Sequence, residues 1–124
     1  QFLKWSKESE IADLTRFDIG IMPLPNDLWS NGKCGFKGLQ YMALEIPTVM
    51  SPVGVNTEII DDEMNGFLDS NEEEWMDVLS KLIESKEIRK QIGKAGRKTI
   101  EEKYSVEANK QKYLDVFNQL LENK

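Results

Sequence analysis

Two glycine turns between Lys33 and Glu58 contain the residues best suited to bind an anionic ligand. In the stretch KCGFKGLQYMALEIPTVMSPVGVNTE, Gly35 precedes an apolar pattern with helical spacing, and Gly54 precedes the start of a second helix. Parallel α/β proteins bind phosphates and sugars where helix N-termini gather at one edge of the sheet. The spacing therefore predicts a phosphate- or sugar-binding edge formed by both turns.

The first turn offers main-chain and cationic groups to a phosphate. Glycine at position 35 lets a ligand approach the backbone closely, and the N–H groups of Gly35 and Phe36 have no partner within the helix that follows. Lys33 and Lys37 bracket this point and add positive charge. The alternative is an ordinary strand-to-helix connection, since glycine-led helix starts are common and weakly specific.

Gln40 and Glu58 are further candidates for ligand contact. Helical side chains tilt towards the helix N-terminus, so Gln40 can lean back towards the ligand, and its amide can donate to and accept from a ribose diol. Glu58 follows the second turn, where it serves either the ligand or its own helix start. A surface glutamine and a capping glutamate are the plain alternatives. Cys34 is expected to be a small packing residue, because no partner base is evident.

The composition of the 124-residue chain excludes several classes of function. Lys and Arg number 16 against 22 Asp and Glu, a net charge of −6, which argues against a nucleic-acid or anionic-membrane partner. The chain contains no histidine, so we expect no Ser–His or Cys–His catalysis and no histidine-based metal site. No apolar run approaches the ~18 residues of a membrane span. A single cysteine suits a reducing compartment, and we expect a cytoplasmic protein.

Short apolar strands that alternate with amphipathic helices predict an α/β fold with a parallel sheet and right-handed crossovers. The polar segment 26–35 is expected to form a functional loop. Three strands are expected, at 18–22, 48–50 and 67–68, of which the last lies at an edge of the sheet. Residues 2–5 are expected to be the end of a further strand. In the first half of the chain, helices are expected from about Ser6 to Phe17, at 36–44, and in a short segment that begins at residue 58. In the second half, one helix is expected after a cap at residues 70–71, and others at 86–93, 94–103 and 105–122, with breaks at Gly93 and Gly96.

The ordered motifs DIGIMPLP, KCGFKGLQYMALEIPTVMSPVGVNTEII and NGFL, followed by a helical tail, resemble the C-terminal domain of GT-B glycosyltransferases. Within that fold the chain is most similar to the retaining, nucleotide-sugar-dependent family 4, and the resemblance extends from Trp5 to the last helix. It implies a partial Rossmann-like domain over residues 1–104 and a C-terminal helix over 105–124 that packs back on the GT-B core. The implied donor is a UDP- or GDP-sugar, with no cofactor and no metal.

The same resemblance bears on individual site residues. The usual family signature is two glutamates separated by seven residues, of which the first meets the transferred sugar and the second meets the ribose. Gly32 and Gln40 occupy these positions here. Gln40 can keep a neutral hydrogen bond to ribose, and the sugar contact would fall to Asn31, Lys33 or the loop backbone. Glu58 matches an acidic residue that follows the second turn in the family, and no catalytic residue is assigned.

The resemblance also implies partners outside the chain. An acceptor domain and the Arg/Lys pair that neutralises the leaving diphosphate would precede Gln1, so we expect a fragment that is inactive alone. The complete protein would transfer a hexosyl group, with retention, to a glycan or lipid-linked acceptor in polysaccharide biosynthesis, with any membrane association through the missing domain. We expect the apolar stripe of the last helix to favour a homodimer. A non-catalytic GT-B-like binding or regulatory protein, and an unrelated α/β interaction module, stay open as alternatives.

Overall fold

Helices alternate with three short strands in the computed structural model, which describes residues 2–122. In chain order the elements are α1 (Glu10–Leu14), β1 (Gly20–Met22), α2 (Leu28–Asn31), α3 (Phe36–Ala43), β2 (Thr48–Met50), α4 (Asn56–Ile59), β3 (Phe67–Leu68), α5 (Glu72–Glu84), α6 (Lys86–Thr99), a π-helical turn (Ile100–Tyr104) and α7 (Val106–Glu122).

The three strands form one parallel sheet in the order β1-β2-β3. Ile21 lies opposite Val49, and Val49 lies opposite Phe67. The crossover from β1 to β2 contains α2 and α3, and the crossover from β2 to β3 contains α4. The predicted α/β class, the parallel sheet, the three strand positions and the edge position of β3 are therefore confirmed.

Both faces of the central strand β2 are covered, which explains why it lacks a polar–apolar alternation. Neighbouring strand residues point to opposite faces, and Val49 and Met50 are both fully buried in different clusters. Met50 packs with Met42 of α3 and Ile59 of α4. Val49 packs with Phe67, with Leu82 of α5 and with Ile92 of α6. The central strand thus joins helices on both sides to one core.

Gly93 and Gly96 do not break the helix, contrary to the sequence-based prediction. α6 runs through both glycines, and the π-helical turn continues it. A Cβ atom at position 93 would lie 2.0 Å from the carbonyl oxygen of Glu45, which follows α3. Gly93 therefore permits close packing of α6 on the end of α3, and this tertiary contact was hidden from the local pattern.

The N-terminal segment also differs from the prediction. Residues 2–5 form no strand: within the described chain β1 pairs only with β2, and this segment does not add to its other edge. Ser6 is not the N-cap residue: its Oγ accepts the N–H of Ser9 at 3.1 Å, and its carbonyl oxygen accepts the N–H of Glu10 at 3.0 Å, which closes a turn before the helix. α1 begins at Glu10, with Ser9 as its N-cap. The predicted loop 26–35 and the helix start at 58 also change, since α2 forms inside the loop and α4 begins at Asn56.

The predicted C-terminal helix is confirmed as α7, which has no buried residue. Its apolar side chains, among them Tyr113, Phe117 and Leu120, are more than half exposed. No helix within residues 2–122 is long and apolar enough to cross a membrane. The division at residue 104 and the docking of α7 on a further domain stay predictions.

Candidate functional site

The two predicted glycine turns meet at one edge of the sheet. Gly35, the N-cap of α3, has φ +67°, and an added Cβ would lie 2.5 Å from Cδ1 of Ile59. Gly54 has φ +55°, and its Cβ would lie 2.7 Å from the carbonyl oxygen of Asn31. Left-handed backbone and close neighbours together require glycine at both positions. The prediction that both turns lie together at one edge of the sheet is confirmed.

The side chain of Asn31 holds the loop between β1 and α3 in place. Its Nδ2 donates to Oδ1 of Asn26 at 2.9 Å and to the carbonyl oxygen of Asp27 at 2.8 Å. Its Oδ1 accepts the N–H of Gly54 at 3.1 Å. Asp27 caps α2 by accepting the N–H of Ser30 at 2.7 Å, and this hydrogen bond lowers the pKa of its carboxyl group. Asn31 thus ties the loop to the second turn, and its contact with a sugar stays a prediction.

A cavity of about 550 Å³ opens at the start of α3. Five predicted site residues line it, together with Met22, Leu24 and Cys34; the five are Gly32, Lys33, Gly35, Phe36 and Lys37. The first hydrogen bond of α3 runs from the N–H of Leu39 to the carbonyl oxygen of Gly35, so the N–H groups before it have no intrahelical partner. The cavity therefore combines unpaired helix-start donors with two lysines, and its size suits a small ligand.

Three lining residues were missed or misjudged from the sequence. Cys34 is exposed in this cavity, so the expectation that it packs inside was wrong: the turn at Gly35 directs residue 34 outwards. Met22 and Leu24 provide apolar wall at the end of β1. Their position at and just beyond the end of the predicted strand 18–22 was the available signal, but an apolar residue at a strand end is usually core.

Gln40 does not line this cavity. Its Nε2 donates to Oε1 of Glu10, on α1, at 3.2 Å, and the same oxygen accepts from Nζ of Lys37 at 3.1 Å. Because a carboxylate only accepts, the nitrogen end of the amide must face Glu10. The Gln40 oxygen is then buried without a partner. The bonds from Lys37 and Gln40, with the Trp5 indole nearby, lower the pKa of the Glu10 carboxyl group.

A second, smaller cavity of about 130 Å³ lies on the other side of Lys37, which lines both cavities. Its wall comes from the N-terminal segment, α1 and the residues after α1; these include Trp5, Glu10 and Phe17. No feature of the sequence identified Glu10, whose partners lie 27 and 30 residues further along the chain.

Glu58 lies apart from the cavity residues. It is exposed on α4 and absent from the lining of the cavity at α3. Burial and the negative charge of Glu58 raise the pKa of Tyr104, which places the glutamate beside the π-helical turn. Within the described residues, no group of three or more histidine, cysteine or acidic side chains is arranged to hold a metal ion.

Asp69 is an unusual carboxylate at the carboxyl end of β3. It is 5% exposed, and its Oδ2 is buried without a hydrogen-bond partner. Burial, with smaller contributions from the negative charges of Asp62 and Glu74, raises its pKa to about 6. A polar residue after a short strand gave no reason to expect this burial.

A parallel sheet with helices on both faces and glycine turns at its carboxyl edge defines a Rossmann-like α/β domain. The family described as glycosyl transferases group 1 matches residues 2–99. Because this match covers most of the chain, the chain belongs to that family. No curated protein sequence matches it.

Solved structures agree on the GT-B C-terminal fold. A point mutant of S. aureus TarM, in complex with fondaparinux, alpha-GlcNAc-glycerol and UDP, is 25% identical with a TM-score of 0.73, over 94% of this chain and 23% of that one. The C-terminal domain of the glycosyl transferase group 1 protein LpcC from Francisella tularensis is 24% identical, with a TM-score of 0.69. The match covers 85% of this chain and 53% of the LpcC chain. The chain therefore spans about half or less of the solved chains that it matches.

Proposed function

We propose that the chain is the donor-binding part of a retaining, nucleotide-sugar-dependent glycosyltransferase of family 4 type. The observation that carries this proposal is the cavity at the start of α3, where Lys33 and Lys37 flank the left-handed turn at Gly35. Family membership supports glycosyl transfer as the reaction. The UDP bound to TarM supports a nucleoside diphosphate as the ligand.

The cavity suits the diphosphate of a UDP- or GDP-sugar. Unpaired N–H groups at the start of α3 and the positive end of its dipole favour an anion. The lysine ammonium groups would stabilise the negative charge that develops on the leaving diphosphate, which is the interaction that accelerates such a transfer. The chain would position the donor, and a further domain of the complete protein would supply the acceptor and the remaining cationic groups.

The broader setting follows from the same proposal. The complete protein would act in the cytoplasm on a glycan or lipid-linked acceptor in polysaccharide biosynthesis, and would join the membrane, if at all, through the further domain. Self-association through the exposed face of α7 would make the chain a homodimer.

Titration of the chain with UDP and GDP by calorimetry tests donor binding. Lys33→Ala should weaken the binding of whichever nucleotide binds by roughly 3- to 10-fold, more at low salt than at high salt, since an exposed charge contact is screened. Lys94→Ala is the matched control, because Lys94 is exposed on α6 and lines neither cavity. Equal affinities of wild type and Lys33→Ala would contradict the placement of the diphosphate.

A non-catalytic binding or regulatory protein is the second candidate. Gly32 supports it, since this position lines the cavity without a side chain that could meet a transferred sugar. The complete protein would then bind the nucleotide sugar without consuming it. Release of UDP or GDP from a panel of nucleotide sugars and acceptors would exclude this alternative.

A further inference from the structure

Glu10, Lys37 and Gln40 form a hydrogen-bonded cluster beside the two cavities. Lys37 lines both cavities, and its Nζ lies 3.1 Å from Oε1 of Glu10, which lines the smaller one. The side chain of Glu10 is only 22% exposed. Lys37 and Gln40 donate to the same oxygen, so the carboxylate is held in a defined position.

The two cavities differ in chemistry. The larger one offers helix-start N–H groups and lysines, which suit an anion. The smaller one offers the aromatic rings of Trp5 and Phe17 and the carboxylate of Glu10, and has room for roughly four water molecules. A carboxylate has about four acceptor positions. Lys37 and Gln40 occupy two of those on Glu10, and Trp5 provides a third nearby donor, so one position remains for a ligand hydroxyl group.

A nucleoside diphosphate has the same division, with an anionic diphosphate joined to a neutral, hydroxyl-bearing ribose. We propose that Glu10 is a binding and specificity-determining residue of the donor site, whose carboxylate accepts a hydrogen bond from a ribose hydroxyl group of the nucleotide. This inference rests on the proposed function. It assigns to α1 the charged acceptor that Gln40, a neutral amide, cannot supply.

Glu10→Gln separates this role from a merely structural one when two ligands are compared. For UDP and GDP the affinity should fall about tenfold, because a hydrogen bond to a charged acceptor is replaced by a neutral one. For inorganic pyrophosphate the affinity should stay equal or rise, since the variant releases Lys37 from its ion pair. Glu8→Gln is the matched control: Glu8 is exposed and lines neither cavity, so both ligands should bind as to wild type.

The 2′,3′-dideoxy forms of the same nucleotides complete the test. They should bind Glu10→Gln at least as tightly as wild type, as pyrophosphate does, because the hydroxyl groups that Glu10 recognises are absent. An equal loss of nucleotide and pyrophosphate affinity in Glu10→Gln would show that Glu10 only positions Lys37, and unchanged nucleotide affinity would also overturn the inference. Wild type that binds pyrophosphate but neither nucleotide would refute the proposed function, and the role of Glu10 with it.

Discussion

Replacing Asp69 by asparagine should change how the stability of the chain depends on pH. Asp69 is almost fully buried, has an unpaired carboxylate oxygen, and lies near the negative charges of Asp62 and Glu74. Its pKa is raised from 3.8 to about 6 in the folded state. The folded state therefore binds the Asp69 proton more tightly than the unfolded state does, and the free energy of unfolding falls as the pH rises between these two values.

The expected size follows from the two pKa values. The difference between these two pKa values, at about 1.36 kcal/mol per pH unit, corresponds to a loss of about 3 kcal/mol that is complete above pH ~7 and has barely begun at pH ~3. Asparagine has nearly the same shape and cannot ionise. The stability of Asp69→Asn relative to wild type should therefore rise by roughly 2–2.5 kcal/mol from pH ~4 to pH ~7.5, whatever the difference between the two proteins at acid pH.

Urea unfolding at a series of pH values measures this difference. Trp75 is a convenient fluorescent reporter, because its indole Nε1 donates to the Asp69 carbonyl oxygen at 2.9 Å. Asp77→Asn removes the same charge from an exposed position of α5 and controls for net charge. A stability difference between Asp69→Asn and wild type that is constant with pH, or that matches the control, would refute the reasoning.

Two further predictions concern packing. Gly93→Ala should destabilise the fold by roughly 1–3 kcal/mol, because the new Cβ would meet the backbone of Glu45; Gly32→Ala, whose nearest neighbour would be 3.5 Å away, should change stability by less than about 0.5 kcal/mol in the same thermal melts. The exposed apolar face of α7 should cause self-association, seen by light scattering as a mass that rises with concentration and is restored to the monomer by Phe117→Glu. A larger loss of stability in Gly32→Ala than in Gly93→Ala would contradict the first expectation. A strict monomer at every concentration would contradict the second.

The parts of the fold that sequence reasoning located correctly depend on local patterns. The residues of β2 are all buried, so an apolar run between Pro47 and the polar turn at Ser51 was a sufficient signal. The bounds of α3 followed from apolar spacing after Gly35. For the same reason the five cavity residues were found together, since they are close in the chain as well as in space.

The parts that were missed depend on contacts between distant segments. Gly93 looked like a helix break because its partner, Glu45, belongs to another element. Glu10 lies in the first turn of α1, and its side chain contacts α3, which comes much later in the chain. Asp69 directly follows the two-residue strand β3, and its burial is visible only in the folded chain. Local patterns predict elements, whereas burial and pairing of single polar side chains require the tertiary structure.

The hydrogen bonds of Asn31 have a consequence for the entropy of ligand binding. They tie the loop before α3 to the second glycine turn through contacts within the chain itself. Ordering a residue costs about 1–2 kcal/mol of backbone entropy, and here that cost is met when the chain folds. A ligand that enters the cavity finds the wall already formed, so more of its contact energy is expressed as affinity.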